Sequence, residues 1–217
     1  MGRPRQYDLD DLLAHARDLW IGRGVDGLTI RALSAASGAS NGAVYHAFGS
    51  RDGLLARVWA EEAGRFLTFQ RDRVADAMRE GDATEALVAA ALAPAAYAKD
   101  NEDGARLLLA ATADDLLTSE LDEEGRTQLL GLQKELGGLL VELASALWER
   151  RDRAAVTVVR HCVVTLPGAL LLNADRITDP LARHALEHAV RGIAAASPPD
   201  RPSATPRIAS TATPAGG

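Results

Sequence analysis

A single cysteine, Cys162, occurs in the 217-residue chain, so neither a disulfide framework nor a cysteine zinc site can form within it. Lysine is nearly missing too: Lys99 and Lys134 stand alone, and arginine carries the remaining positive charge. No basic excess exists, since 24 Lys+Arg face 30 Asp+Glu for a formal net charge of −6. General coating of a polyanion is thereby disfavoured, and any DNA binding must come from a local patch. Most of the acidic excess lies after Arg51. Aromatic residues make up 4% and β-branched runs are few, which favours helices over sheets. The longest apolar stretch, residues 154–172, is interrupted by Arg160, His161 and Pro167. A membrane span needs ~20 largely uncharged residues, so this stretch is predicted to be a buried helix. Residues 1–8 contain no apolar signal segment, and the expected location is cytoplasmic, with no membrane partner.

What is abundant is alanine and leucine in helical register, with 47% of residues hydrophobic. The most informative run is Thr29 to Phe48. Ile30, Leu33 and Ala36 repeat at helical spacing and give a first short helix one apolar face. Gly38 suits the left-handed turn that follows. Ser40 is a good N-cap for a second short helix, whose Val44 and Phe48 form an i, i+4 pair that returns to the core. Asn41, Gly42, Ala43, Tyr45 and His46 are left on the outer side. This is the layout of a helix-turn-helix whose second helix enters the DNA major groove. Before it, Leu9, Leu12, Leu13, Ala16 and Trp20 make a further helical stripe, and Thr29 can cap the next helix. After it, Ser50 can cap a long helix, with Asp52 favourable at its positive end.

The stretch Leu9 to Leu55 closely resembles the DNA-binding domain of the tetracycline-repressor (TetR) family of bacterial transcription regulators. The matching pieces are Gly24 with Leu28-Thr29-Ile30-Arg31, then Ala36-Ser37-Gly38-Ala39-Ser40, Gly42 to Phe48, and Ser50-Arg51-Asp52-Gly53-Leu54. Two positions depart from the family pattern. Asn41 stands where a basic residue or proline is common, which can change the bases read. Arg51 stands where lysine is common and keeps the charge for a phosphate contact. The resemblance implies an all-α protein with a three-helix DNA-binding domain over residues 1–52 and a helical ligand-binding and dimerisation domain over 53–196. It also implies a homodimer in which the last two long helices of each subunit form a four-helix bundle. A proline-, serine- and threonine-rich tail, 197–217, has too little apolar surface to fold and is predicted to be disordered.

The DNA contacts expected are Thr29, Arg31, Ser40, Asn41, Gly42, Ala43, Tyr45, His46 and Arg51. Asparagine can pair with adenine through both amide groups, glycine permits close approach, and Tyr45 and His46 can donate to phosphate. Arg3 and Arg5 read either as an arm for the minor groove or as a solvated terminus.

Beyond the motif, helical patterns run over residues 50–80, 84–98, 105–117, 127–151, 153–173 and 179–196. Pro94 and Pro167 are expected to bend their helices. A small-molecule cavity is expected in this region, with Phe66, Phe69, Tyr97, Leu108, Trp148, Thr165 and Asn173 as candidate lining groups. The predicted effector is apolar or amphipathic, and no cofactor is expected. His184-Ala185-Leu186-Glu187-His188 spells H-x-x-E-H, a zinc-protease motif, but no glutamate follows to complete the ligand set. Leu181, Ala185, Ala189 and Ile193 are predicted to face inward, leaving both histidines on the polar flank. His161 and Cys162, adjacent in a helix, point about 100° apart and cannot act as a catalytic pair. With no catalytic constellation, the chain is read as a regulator that binds a palindromic double-stranded operator as a homodimer and leaves it when an effector binds. Its rivals are an activator of the same family and a helical interaction protein with a degenerate DNA-binding domain.

Overall fold

In the computed structural model, residues 8–118, 121–171, 177 and 179–198 are described. Arg3, Arg5, Asn173 and nearly all of the 197–217 tail, expectations of the sequence, lie outside them. All regular structure among the described residues is helical: α1 (Leu9–Gly27), α2 (Ile30–Ser37), α3 (Asn41–Phe48), α4 (Arg51–Glu80), α5 (Ala83–Asp100), α6 (Glu102–Leu109), α7 (Ala113–Leu116), α8 (Glu123–Trp148), α9 (Arg153–Arg160), a π-helical turn (His161–Thr165), α10 (Leu166–Leu171) and α11 (Pro180–Ala194). Starts are written in the side chains. Asp8, Thr29, Ser40 and Ser50 each accept a backbone N–H at the head of α1 to α4, satisfying a donor that the first turn leaves orphaned. Gly38 ends α2 at φ 73°, ψ 5°, a left-handed conformation that costs a glycine nothing.

Helices α1 to α3 close around Leu12, Ala16, Trp20, Leu28, Ile30, Leu33, Val44 and Phe48, and the first turns of α4 complete this core through Leu54, Leu55 and Val58. The same cluster continues into Leu107, Leu116, Leu121 and Leu129 of the C-terminal region, so α4 belongs to both halves. Further along, α4 packs on α5 and α8 around Leu67, Val74, Leu87, Leu139, Leu140 and Leu143, joined by Val159, Cys162, Leu186 and Val190. A smaller cluster of Tyr97, Ala98, Ala105 and Ile177, with Phe66, Phe69 and Leu108 beside it, fills the space between.

Two expectations change here. Residues 153–171 are not buried all round. Among the described residues this is the one helix long and apolar enough to cross a membrane, yet only 33% of its most apolar window is buried. Ala155, Val159, Cys162 and Val163 face the core, whereas Thr157, Arg160, His161, Val164 and Thr165 face outward. The physical reason is that one chain offers this helix a neighbour on one side only. The second change concerns α11. Leu186, Val190 and Ala194 are its core residues, while Leu181 is 78% exposed and Ala185 and Ala189 point outward with it. Both stripes have helical spacing; the core took Leu186 and Val190 in preference to Ala185 and Ala189, which removes more apolar area from water, while Ile193 of the expected stripe stays half-buried against it. His184 and His188, also exposed, stack at 4.0 Å between ring centroids beside the outward alanines.

Candidate nucleic-acid interface and effector cavity

Helix α3 is held from below by Val44 and Phe48, both essentially without exposure. Its other side is open. Asn41, Gly42, Tyr45 and His46 are exposed, Tyr45 by 53%, and Arg31 of α2 is exposed as well. Ala43 is half-buried against the core beneath. Ser40 Oγ accepts from Ala43 N–H and Thr29 Oγ1 from Ala32 N–H. Each cap hydroxyl therefore retains its own O–H for an acceptor outside the helix. An open helix face, flanked by hydroxyls and the free N–H groups of a helix start, can read base edges and hold phosphates together.

Arg51, an expected phosphate contact, also makes bonds within the fold. Its Nε donates to Leu28 O at 3.0 Å and its Nη2 to Val25 O at 2.7 Å. The guanidinium thus satisfies carbonyls at the end of α1 and in the following turn, and ties them to the head of α4. The Arg51 side chain remains 40% exposed.

Beneath the head lies a polar junction that the sequence reading missed. Glu62 of α4 has no exposed surface. Its Oε2 accepts from Arg17 Nε of α1 at 2.9 Å, and its Oε1 from Tyr97 Oη of α5 at 2.5 Å and from Asn101 Nδ2 at 2.7 Å. Arg17 also donates to Asn101 Oδ1, and Asn101 caps α6. A Cβ on Gly104 would collide with Glu62 Oε1 and the Asn101 amide, so only glycine leaves room for this arrangement. Burial by itself would raise the Glu62 pKa, but hydrogen bonds from Tyr97, Arg17 and Asn101 together with the Arg17 charge outweigh it and hold the carboxyl below its ordinary range. Tyr97 moves the other way: burial and its bond to the Glu62 carboxylate push the phenol up to about 12. The signal in the sequence is a glutamate at a core position of α4, one turn beyond Val58.

Tyr97 also belongs to the wall of a cavity of about 240 Å³ between α4, α5, α6, α8 and the π-helical turn. Phe66 and Leu108, both expected, line it, together with Trp59, Gln70, Pro94, Val163 and Pro167. Leu166 N–H bonds back to His161 O across the wider π turn just before Pro167, which cannot donate, and this bent stretch forms one wall. Three other candidates do not line it. Phe69 packs on Tyr97 from outside, ring centroids 5.3 Å apart. Trp148 lies at the far end of the bundle, its indole donating to Ala194 O at 3.1 Å. Thr165 is exposed and bonds His161, because its position within the π turn directs it away from the core.

Among the described residues no group of three or more His, Cys, Asp or Glu side chains is arranged to hold a metal ion. Cys162 is buried, and that burial raises its thiol pKa to about 11.

Residues 12–58 match the family model for bacterial regulatory proteins of the tetR family. No curated protein matches the sequence. The fold is that of several solved regulators. PfmR, a TetR-family transcriptional regulator of Thermus thermophilus, superposes with a TM-score of 0.57 at 21% identity, over 85% of this chain and 97% of its own. FadR of Bacillus subtilis, solved with stearoyl-CoA, gives 0.59 at 15% identity, over 86% and 97%. The ketosteroid regulator KstR2 of Mycobacterium tuberculosis gives 0.54 at 17%, over 88% and 94%.

Proposed function

We propose that this chain, whose residues 12–58 match the tetR-family model, is a transcriptional repressor of that family that binds a palindromic operator as a homodimer and leaves the DNA when a small molecule enters the cavity beside Tyr97. The observation that carries this reading is the junction: one tyrosine is both cavity wall and hydrogen-bond donor to the buried carboxylate that holds the DNA-binding head through Arg17. In this reading Asn41 and Gly42 meet the major groove, with Tyr45, His46, Arg31, Thr29 and Ser40 on phosphates. A helix as short as α3 covers only a few base pairs, so specificity requires two half-sites related by a dimer axis. The outward stripe of Leu181, Ala185 and Ala189 on α11 suits a helix-on-helix interface with a second copy. The family's soluble, DNA-bound working life fits the cytoplasm.

An occupant that displaces Tyr97 loosens the Glu62 bond and lets α1 shift against α4. The two recognition helices then lose the spacing that two half-sites demand. Such coupling is limited by the ligand's differential affinity for the two states, typically about 1–3 kcal/mol. The test is reciprocity. Operator fragments are selected from genomic DNA, and effector affinity is then measured with and without operator. Effector must weaken DNA binding by the same factor as DNA weakens effector binding, and Glu62→Gln must reduce both factors together. Equal effector affinity in the two conditions refutes release through the cavity. A Leu181→Glu protein that still sediments as a dimer would remove α11 from the interface.

A further inference from the structure

Gln70 sits on the buried stripe of α4, only 2% exposed, in the cavity wall. Opposite it, α5 contains Pro94, which has no N–H, so the carbonyl four residues earlier, that of Ala90, lacks its helical donor. Gln70 supplies the replacement: Nε2 donates to Ala90 O at 2.9 Å. This bond decides which way round the amide stands, because a carbonyl oxygen facing Ala90 O would repel it. Oε1 is therefore the other end of the amide, and it is buried with no hydrogen-bond partner. A buried acceptor left unpaired is costly; this one is closed to water, and a ligand donor reaches it once the wall gives way around it.

The rest of the wall narrows the choice of donor. Among the described residues that line the cavity there is no Asp, Glu, Lys, Arg or His, and a charged ligand would be stripped of water with no counter-charge. The Tyr97 hydroxyl is already engaged, donating to Glu62 and accepting from Asn101. The Gln133 amide donates to Asp114. Size follows from the volume: an apolar cavity of about 150 Å³ accepts benzene, so about 240 Å³ accepts roughly ten heavy atoms.

We propose that the cavity binds an uncharged, mostly apolar molecule of roughly ten heavy atoms whose hydroxyl or N–H donates to Gln70 Oε1. The proposal rests on the cavity being the effector site and adds the chemistry that site selects.

The test uses three bicyclic probes, titrated calorimetrically into the full-length protein at neutral pH: 2-naphthol, its methyl ether 2-methoxynaphthalene, and 2-naphthoate. The wild type should bind the alcohol at least about tenfold more tightly than the ether, and the carboxylate more weakly than either. Gln70→Leu should abolish the preference of alcohol over ether. Since that variant also strips Ala90 O of its donor, Gln70→Leu with Pro94→Ala is made in parallel; the new N–H on α5 satisfies Ala90 O, and the preference must still be gone. Equal affinities for alcohol and ether in the wild type overturn the donor assignment but leave the cavity standing, as would a resident water on Oε1 that no ligand displaces. Tightest binding of 2-naphthoate overturns the uncharged class. If none of the three binds up to its solubility, the proposal fails and the cavity reading fails with it.

Discussion

The DNA-binding head and the bundle behind it solve opposite packing problems. In the head, short capped helices close on Trp20, Leu33, Val44 and Phe48, and the candidate DNA contacts Arg31, Asn41, Tyr45 and His46 sit on the outside. In the bundle, alanine-rich helices pack closely at one end, around Ala86, Ala90 and Ala91, and leave a void at the other, where Trp59, Phe66 and Tyr97 cannot fill the space. The head presents its site by being solid, and the bundle by being incompletely filled. Surface substitutions in the head should therefore separate function from stability, whereas in the bundle and its junction with the head the two should move together.

The largest effect expected is on DNA binding. On the proposed reading Tyr45→Ala removes a donor to phosphate from each half-site; hydrogen bonds to charged groups contribute about 1.5–3 kcal/mol each, so the proposed dimer should lose about 3–6 kcal/mol of operator affinity. Stability should stay within about 0.5 kcal/mol, because the side chain is exposed. A protein that melts far below the wild type would make Tyr45 a packing residue and erase the contrast.

Next in size is Glu62→Gln, which leaves Arg17 without its counter-charge. We expect a loss of about 3 kcal/mol, the low end for a broken buried pair since Arg17 reaches solvent. The effect must depend on pH with a definite sign. The folded-state pKa of Glu62 lies below the unfolded value, so its contribution is complete above about pH 4.3 and is lost as pH falls through the folded pKa. Urea melts at successive pH values should converge for wild type and variant in acid. Parallel curves that never converge would mean that the carboxylate charge is not what stabilises the junction.

Smaller again is Arg51→Ala, at about 1–2 kcal/mol of stability from the lost bonds to Val25 and Leu28 carbonyls. The slope of log affinity against log salt should not change. A slope shallower by roughly one per subunit would return Arg51 to the phosphate contacts.

How legible each region was follows from the same difference. The caps Thr29, Ser40 and Ser50, the left-handed Gly38 and the Val44–Phe48 pair act over three or four residues, so the sequence displays them directly. The cavity wall comes from residues as far apart as Trp59 and Ile177, and periodicity cannot tell which core residues border a void. Phe66, Tyr97 and Leu108 could be chosen as bulky groups on inner faces; Trp148 and Thr165 met the same criterion and lie elsewhere. Gln70 and Glu62 did carry a signal, as polar residues on the buried stripe of α4, but their partners on α1 and α5 became identifiable only once the helices were packed.

By itself, then, the sequence determined the helical class, the start and stop of the head's helices, and which face of α3 is free, because capping and 3.6-residue periodicity are local. Tertiary structure decided what Arg51 holds, which of two equivalent stripes of α11 turned inward, and that the amide of Gln70 repairs the gap left by Pro94. Each of these is a choice between partners distant in the chain, settled by which contact satisfies a buried polar group or removes more apolar surface from water.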